Sequence, residues 1–231
     1  MHKRLLLGVF VLGLLLRTIG LTNHPSGFTP DEASFGYDAY SILKTGRDQW
    51  GNFLPLSLKS FGDYKLPLLT YLAIPSVAVF GLNEFSIRLT NALVGSGAIL
   101  TTYFLVLKVS KNNQNLALLS AFLLSISPWH IMLSRGAFEA NLTTLLLPLT
   151  LLFYKKGHQN PKFYLLSSLF FGLNLFSYHS ARFVAPLILG VIVVFSRKQV
   201  KVTPHTKFAI MIAILALTLT GYSFVGSGTG R

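Results

Sequence analysis

The chain contains no cysteine, which excludes both a disulfide framework and a thiolate metal site. It is also poor in acid, with seven Asp and Glu against 20 Lys and Arg. Charged residues make up 12% of the sequence, about half the ~25% usual in soluble domains. What is abundant is apolar: 52% of residues are hydrophobic, and the mean hydropathy is +0.56. Long apolar runs with few charges mark helices of about 20 residues that cross a bilayer. The net charge of +13 would suit a nucleic acid only if it were gathered on one exposed basic face. Here Lys and Arg fall in short clusters between apolar runs, where they set membrane orientation. The composition predicts an all-α polytopic membrane protein whose partner is the lipid bilayer, with no nucleic acid.

Apolar segments lie at residues 4–21, 66–82, 86–107, 115–133, 140–154, 163–178, 183–196 and 207–225. The N-terminus "MHKRLLLGVFVLGLLLRTIGL" has the charge and length of a signal peptide but no small-residue cleavage site, so it reads as a retained first helix. Segment 66–82 is short and interrupted by Pro67 and Pro75. If it does not span, every other segment crosses once. Lys3, Arg4, Lys108, Lys111, Lys155, Lys156, Lys162, Arg197, Lys198, Lys201 and Lys207 then share the cytoplasmic side. All seven acids, Asp31, Glu32, Asp38, Asp48, Asp63, Glu84 and Glu139, take the other side. The expectation is seven transmembrane helices in one membrane domain over residues 1–231, N-terminus cytoplasmic. Residues 22–85 form a first extracytoplasmic loop with juxtamembrane helices.

That loop holds most of the acid. "SGFTPDEASFGYDAYSILKTGRDQWG" carries four of the seven carboxylates. Pro30 and the acids after it open a helix, Gly46 closes it, and Phe35, Ala39, Tyr40, Ile42 and Leu43 make an apolar face suited to lying on lipid. Asp31 at the first turn suits the helix dipole and could be no more than a cap. Three further clusters open onto the same surface. "FGDYKLP" places Asp63 and Lys65 at the head of the interfacial helix, "SPWHIMLSRGAFEANLT" places Arg135 and Glu139 at a turn, and "YHSARF" places His179 and Arg182 at another. Each has a plain structural alternative. The two Arg can snorkel to lipid phosphates, His179 can be an interfacial polar residue, and Glu139 can cap a helix and pair with Arg135. "Asn-Leu-Thr" at 141–143 fits a glycosylation acceptor by chance.

Taken in order, Pro-Asp-Glu, Asp-Tyr-Lys-Leu-Pro and Ser-Arg-x-x-x-Glu resemble the first outer loop and following helices of the glycosyltransferase C superfamily. The likeness is to its family 39 group, which includes protein O-mannosyltransferases and the lipid A aminoarabinose transferase, and it runs from about residue 4 to the end. The resemblance implies an enzyme that takes a sugar from a lipid-linked donor, usually a polyprenyl phosphate monosaccharide. The acceptor would be a protein, lipid or glycan on the extracytoplasmic face. It gives Asp31 the position of the catalytic carboxylate; Glu32, next to it, is expected to support it by positioning the acceptor or tuning its charge. Lys65 holds the position that binds the donor phosphate, Arg135 and Arg182 being further candidates. Asp63, Glu139 and His179 fall to the acceptor or to a divalent metal; no other cofactor is implied. Members of the superfamily have more spans, often with a soluble C-terminal domain, so the chain is expected to be the N-terminal portion of such a module.

The rival readings are a lipid or solute transporter or flippase, and a purely structural subunit. A transporter places ionisable groups near the midplane on broken helices in repeated halves. Here the span interiors carry no acid and the charges gather at one surface. A structural subunit leaves the acid-rich loop without a reason. The glycosyltransferase reading makes one spatial demand: Asp31, Lys65, Glu139 and Arg182 should surround a single cavity open to the outer leaflet.

Overall fold

The computed structural model describes residues 2–60 and 62–228; residues 1, 61 and 229–231 lie outside the described part. Helix α1 (His2–Thr18) leads into a loop, then α2 (Pro30–Thr45). A two-stranded antiparallel hairpin follows, β1 (Leu58–Ser60) and β2 (Asp63–Lys65), which pairs Leu58 with Lys65 and Ser60 with Asp63. The rest is helical: α3 (Leu68–Phe80), α4 (Glu84–Val109), α5 (Gln114–Ile126), α6 (Pro128–Arg135), α7 (Ala140–Gly157), α8 (Phe163–Leu175), α9 (Ala181–Ser196) and α10 (Pro204–Gly228). A 3₁₀ turn at Arg197–Gln199 links the last two. The hairpin is a departure from the all-helical expectation. Asp63 and Lys65 sit on a strand two residues ahead of α3, not at its head.

Helix α4 organises the fold. Asn83 caps it by accepting from the Ser86 N–H, and its 26 residues reach about 39 Å at 1.5 Å each. It packs against α1, α3, α5, α6 and α7. Small residues let the backbones approach: a Cβ at Gly95 would collide with the Ser134 side chain of α6. Between α5 and α6 the chain bends by 57°. Pro128 lacks an N–H and cannot continue the α5 ladder. Arg17 of α1, fully buried, answers the resulting need by donating to the Leu124 and Ser125 carbonyls at 3.1 and 3.0 Å. It also bonds His130 Nδ1 at 2.7 Å. Asn141 is fully buried and donates to Asn91 at 2.9 and 3.0 Å, so in this fold it is an interhelical clamp and not a glycosylation site.

The lipid-facing role expected for α2 is not what the structure shows. Phe35 and Ala39 join Leu69, Ala73, Val77, Ile87 and Leu142 in one core cluster. Ile42 is buried too, and of the predicted face only Tyr40 and Leu43 are exposed. Periodicity shows that a helix has an apolar face but not what covers it; here α3 and α4 do.

By length and composition, α4 and α10 can cross a membrane, and the bent α5–α6 pair adds a third if it is one broken span. The other expected spans fall short: α1, α8 and α9 have 17, 13 and 16 residues, and α7 ends in Lys155 and Lys156. The expected seven are thus not met on these grounds. Segment 66–82 holds a 13-residue helix about 20 Å long, too short for a ~30 Å hydrocarbon core. Orientation is open to a direct test, because the chain has no cysteine to interfere. A cysteine at exposed Asn23 is expected to react with an impermeant thiol reagent on intact cells. One at exposed Asn160 or Lys198 should react only after permeabilisation. Outside labelling at 160 would reverse the orientation.

Candidate active site

The start of α2 sorts its two acids into different roles. Thr29 is the N-cap and Pro30 opens the helix, so Asp31 and Glu32 fall about 100° apart around its axis. Glu32 turns inward and closes a capping box, accepting from the Thr29 N–H at 3.0 Å. It also accepts from the Ala137 N–H at 3.2 Å and forms an ion pair with fully buried Arg88 at 2.8 Å. Burial alone would raise its pKa; the Arg88, Thr29 and Ala137 hydrogen bonds and the Arg88 charge together hold it below the usual carboxylate range. Asp31 turns outward. Its side chain is 68% exposed and meets the Lys65 ammonium at 2.6 Å.

Lys65 is placed by the hairpin. Its pairing with Leu58 turns the side chain inward, where the ammonium lies 4.7 Å from the Phe35 ring centroid. Around this ion pair is a pocket of about 410 Å³ whose wall includes Thr29, Ser60, Asp63, Glu139, Tyr178 and His179. Glu139 arrives on the turn between α6 and α7, and His179 on the turn between α8 and α9. The His179 Nε2–H donates to the Tyr64 carbonyl at 2.8 Å, which anchors the ring to the hairpin.

Glu139 is the unusual member. Its Oε2 is buried with no hydrogen-bond partner among the described residues. Burial raises its pKa to about 7, against the pull of Lys65 and of the Leu66 backbone N–H and with help from Asp31 and Asp63. A carboxyl whose folded pKa lies above its ordinary 4.5 makes the fold bind that proton more tightly than the unfolded chain does. Its contribution therefore declines as pH rises through the window from about 4.5 to about 7. Glu139→Gln is expected to remove that decline, seen as a shrinking difference in Tm between wild type and variant toward low pH. A pH-independent difference would mean that Glu139 titrates normally.

Three of the four residues expected around one cavity are there: Asp31, Lys65 and Glu139. Arg182 lines the adjoining pocket of about 320 Å³, which shares Asp63 and His179 with the first. It donates to the Leu175 carbonyl at 3.2 Å and to Ser223 Oγ at 2.9 Å.

Residues 65–222 match the family model described as dolichyl-phosphate-mannose-protein mannosyltransferase. The chain belongs to this family. Among solved structures, the apo oligosaccharyltransferase of Archaeoglobus fulgidus is similar, with a TM-score of 0.66 and 20% identity over 95% of this chain and 29% of that one. The AglB oligosaccharyltransferase of the same organism, in complex with an inhibitory peptide and a dolichol-phosphate, gives 0.63 and 21% over 97% and 29%. At such identities these neighbours establish the fold. The chain spans less than a third of either one's length. No curated protein matches the sequence.

Two of the residues expected at this mannosyltransferase-family site are engaged elsewhere. Arg135 does not face the pocket: its guanidinium donates to the Leu16, Ile19, Gly20 and His24 carbonyls at 2.8 to 3.1 Å, satisfying the open C-terminal end of α1. Its expected pairing with Glu139 is absent because α6 ends at Arg135 and the chain turns before α7. Glu32 is engaged with Arg88 and is not in the pocket wall. Among the described residues, no group of three or more His, Asp or Glu side chains is placed to hold a metal ion, Asp63, Glu139 and His179 included. Arg88 was missed in the sequence, where "FSIRL" resembles a topology charge at a helix start. Nothing local marks it, because its partner Glu32 lies 56 positions away.

Proposed function

We propose that this protein moves a sugar from a polyprenyl-phosphate-linked donor to an acceptor hydroxyl at the extracytoplasmic face, with Asp31 as the base. The observation that carries the reading is the Asp31–Lys65 ion pair at 2.6 Å beside a pocket that also holds Glu139. A carboxylate and an ammonium at that distance suit a base beside a group that takes the donor phosphate. The family membership favours the same chemistry.

The acceptor oxygen attacks the anomeric carbon as its proton passes to the Asp31 carboxylate. The bond from that carbon to the phosphate oxygen breaks with inversion, and its electron pair stays on the phosphate, which leaves as the lipid phosphate monoester. A phosphate leaving group needs positive charge more than a proton. Lys65 supplies it, and Arg182 lies in the neighbouring pocket on the α10 side. Donor phosphate competes with Asp31 for the Lys65 ammonium, so donor binding releases the base. Glu139, neutral below about pH 7, orients the acceptor hydroxyl as a hydrogen-bonding group.

The test is transfer of label from radiolabelled polyprenyl phosphate monosaccharides by the full gene product in proteoliposomes. Lys65→Met keeps the apolar stem of this buried side chain and removes the ammonium. It is expected to raise the donor KM roughly 10- to 100-fold, the worth of a charge-assisted bond. Wild-type protein that releases no lipid phosphate and labels no acceptor would sink the reading.

A further inference from the structure

We infer that the cleft between α2 and the loop at residues 46–60 is the acceptor subsite, and that the acceptor is a carbohydrate stacked on Trp50. The inference rests on the transferase reading above and adds the substrate class.

Three pockets run side by side along the hairpin. The central one holds Asp31, Lys65 and Glu139. It meets the Arg182 pocket through Asp63 and His179, and on the other side it meets a third pocket of about 430 Å³ through Ser60. Lipid phosphate belongs with the cations on the Arg182 side. The third pocket has a different chemistry: Tyr37 and Trp50 line it, both more than half exposed at 53% and 57%, and its one cation, Lys59, lies against the indole.

The indole is held, not loose. Its Nε1–H donates to the Lys59 carbonyl at 2.7 Å, and the Lys59 ammonium lies 5.0 Å from the ring centroid. Two of the seven acids build the loop that presents it. Asp48, 3% exposed, accepts from the Trp50 and Asn52 N–H groups at 2.9 and 2.8 Å. Asp38, 1% exposed, accepts from the Gln49 N–H at 3.0 Å and from its amide at 3.2 Å. Buried carboxylates are costly to desolvate, and here they fix the backbone on both sides of one exposed aromatic ring. A Trp that only anchors a protein at the lipid interface needs no such framework. A pyranose has apolar C–H faces that stack on an aromatic ring and hydroxyls around its rim. Ser34, Gln49 and Ser60 line the same pocket and can partner the rim. Ser60 Oγ, at the junction with the Asp31 pocket, is buried and has no hydrogen-bond partner among the described residues. A sugar on Trp50 would thus extend a hydroxyl past Ser60 toward Asp31.

The test uses the full gene product with radiolabelled polyprenyl phosphate sugar and two acceptors: delipidated envelope oligosaccharide from the producing cell, and a Ser/Thr-rich peptide. Label is expected in the oligosaccharide. Trp50→Ala and Tyr37→Ala are each expected to raise the oligosaccharide KM roughly 10- to 100-fold while the donor KM holds, the signature of a lost acceptor contact. Both side chains are exposed, and circular dichroism checks that the variants fold. Label in the peptide alone, or an oligosaccharide KM that neither substitution moves, overturns the carbohydrate subsite and leaves the transferase reading standing. A loss in kcat with KM unchanged also overturns it, pointing to an interfacial anchor. Wild-type protein that transfers to neither acceptor and releases no lipid phosphate removes both proposals together.

Discussion

Asp31→Asn is expected to lower kcat for sugar transfer by about 10²- to 10⁴-fold, the usual worth of a positioned base. Asparagine keeps the shape and removes both the proton acceptor and the charge. The donor KM should not rise, because Lys65 loses its carboxylate partner and is left to the phosphate. A fall in kcat without a rise in KM marks an interaction used in the transition state. Stability should hardly change: the Asp31 side chain is 68% exposed, and exposed ion pairs contribute little. Purified variant and wild type compared for kcat, donor KM and Tm decide the point. An Asp31→Asn protein that transfers at the wild-type rate would reduce Asp31 to a surface partner of Lys65.

The neighbouring acid is expected to behave in the opposite way. Arg88→Met or Glu32→Gln should leave too little folded protein to assay, or lower Tm steeply, because each strands a buried charge or a buried set of hydrogen bonds. Breaking a buried pair from one side costs about 3–5 kcal/mol, against a typical total stability of about 5–15. The Arg88 side chain is fully buried; besides Glu32 it donates to the Leu21, Pro25 and Gly27 carbonyls at 3.1, 3.0 and 2.5 Å. Glu32 in turn holds the Ala137 N–H. One ion pair therefore joins the 21–29 loop, α2, α4 and the α6–α7 turn, the elements that carry Asp31 and Glu139. The pair also has a defined pH behaviour. Because the folded Glu32 pKa is depressed, its contribution is complete above the ordinary value of 4.5 and is lost as pH falls through the lower folded value. Membranes titrated from pH 7 to pH 3 should show wild-type stability falling at the acid end and Glu32→Gln already low throughout. A Glu32→Gln protein with wild-type Tm would mean that the pair is a bystander.

The contrast between these adjacent residues shows what could be read in the sequence. That two consecutive acids cannot address one atom follows from helix geometry, and Pro30 with Gly46 marked both ends of α2. Which of the two faced inward depended on Arg88, 56 positions away from Glu32. No local pattern reports that. Asp31, Lys65 and Glu139 were legible as a group because each follows a short motif at the same predicted surface. Arg135 and Arg182 looked equivalent, both being lone cations at helix ends. They separate only once the α1 C-terminus, with its open carbonyls, is seen lying against Arg135. The hairpin escaped notice because three-residue strands carry too little alternation to register. Asp38 and Asp48 were counted among the outer acids, but their joint work on the Trp50 loop needed the fold. The seven-span expectation came from apolar runs, of which two or three hold a helix or bent helix pair long and apolar enough to cross a membrane.

The most direct measurement is a structure of the full gene product bound to polyprenyl phosphate. The phosphate is expected on the Lys65 ammonium, on the side facing Arg182, with the Asp31 carboxylate released from Lys65 and turned to the space the anomeric carbon would occupy. A phosphate bound away from this pocket, with Asp31 still closed on Lys65, would contradict the assignment of the site.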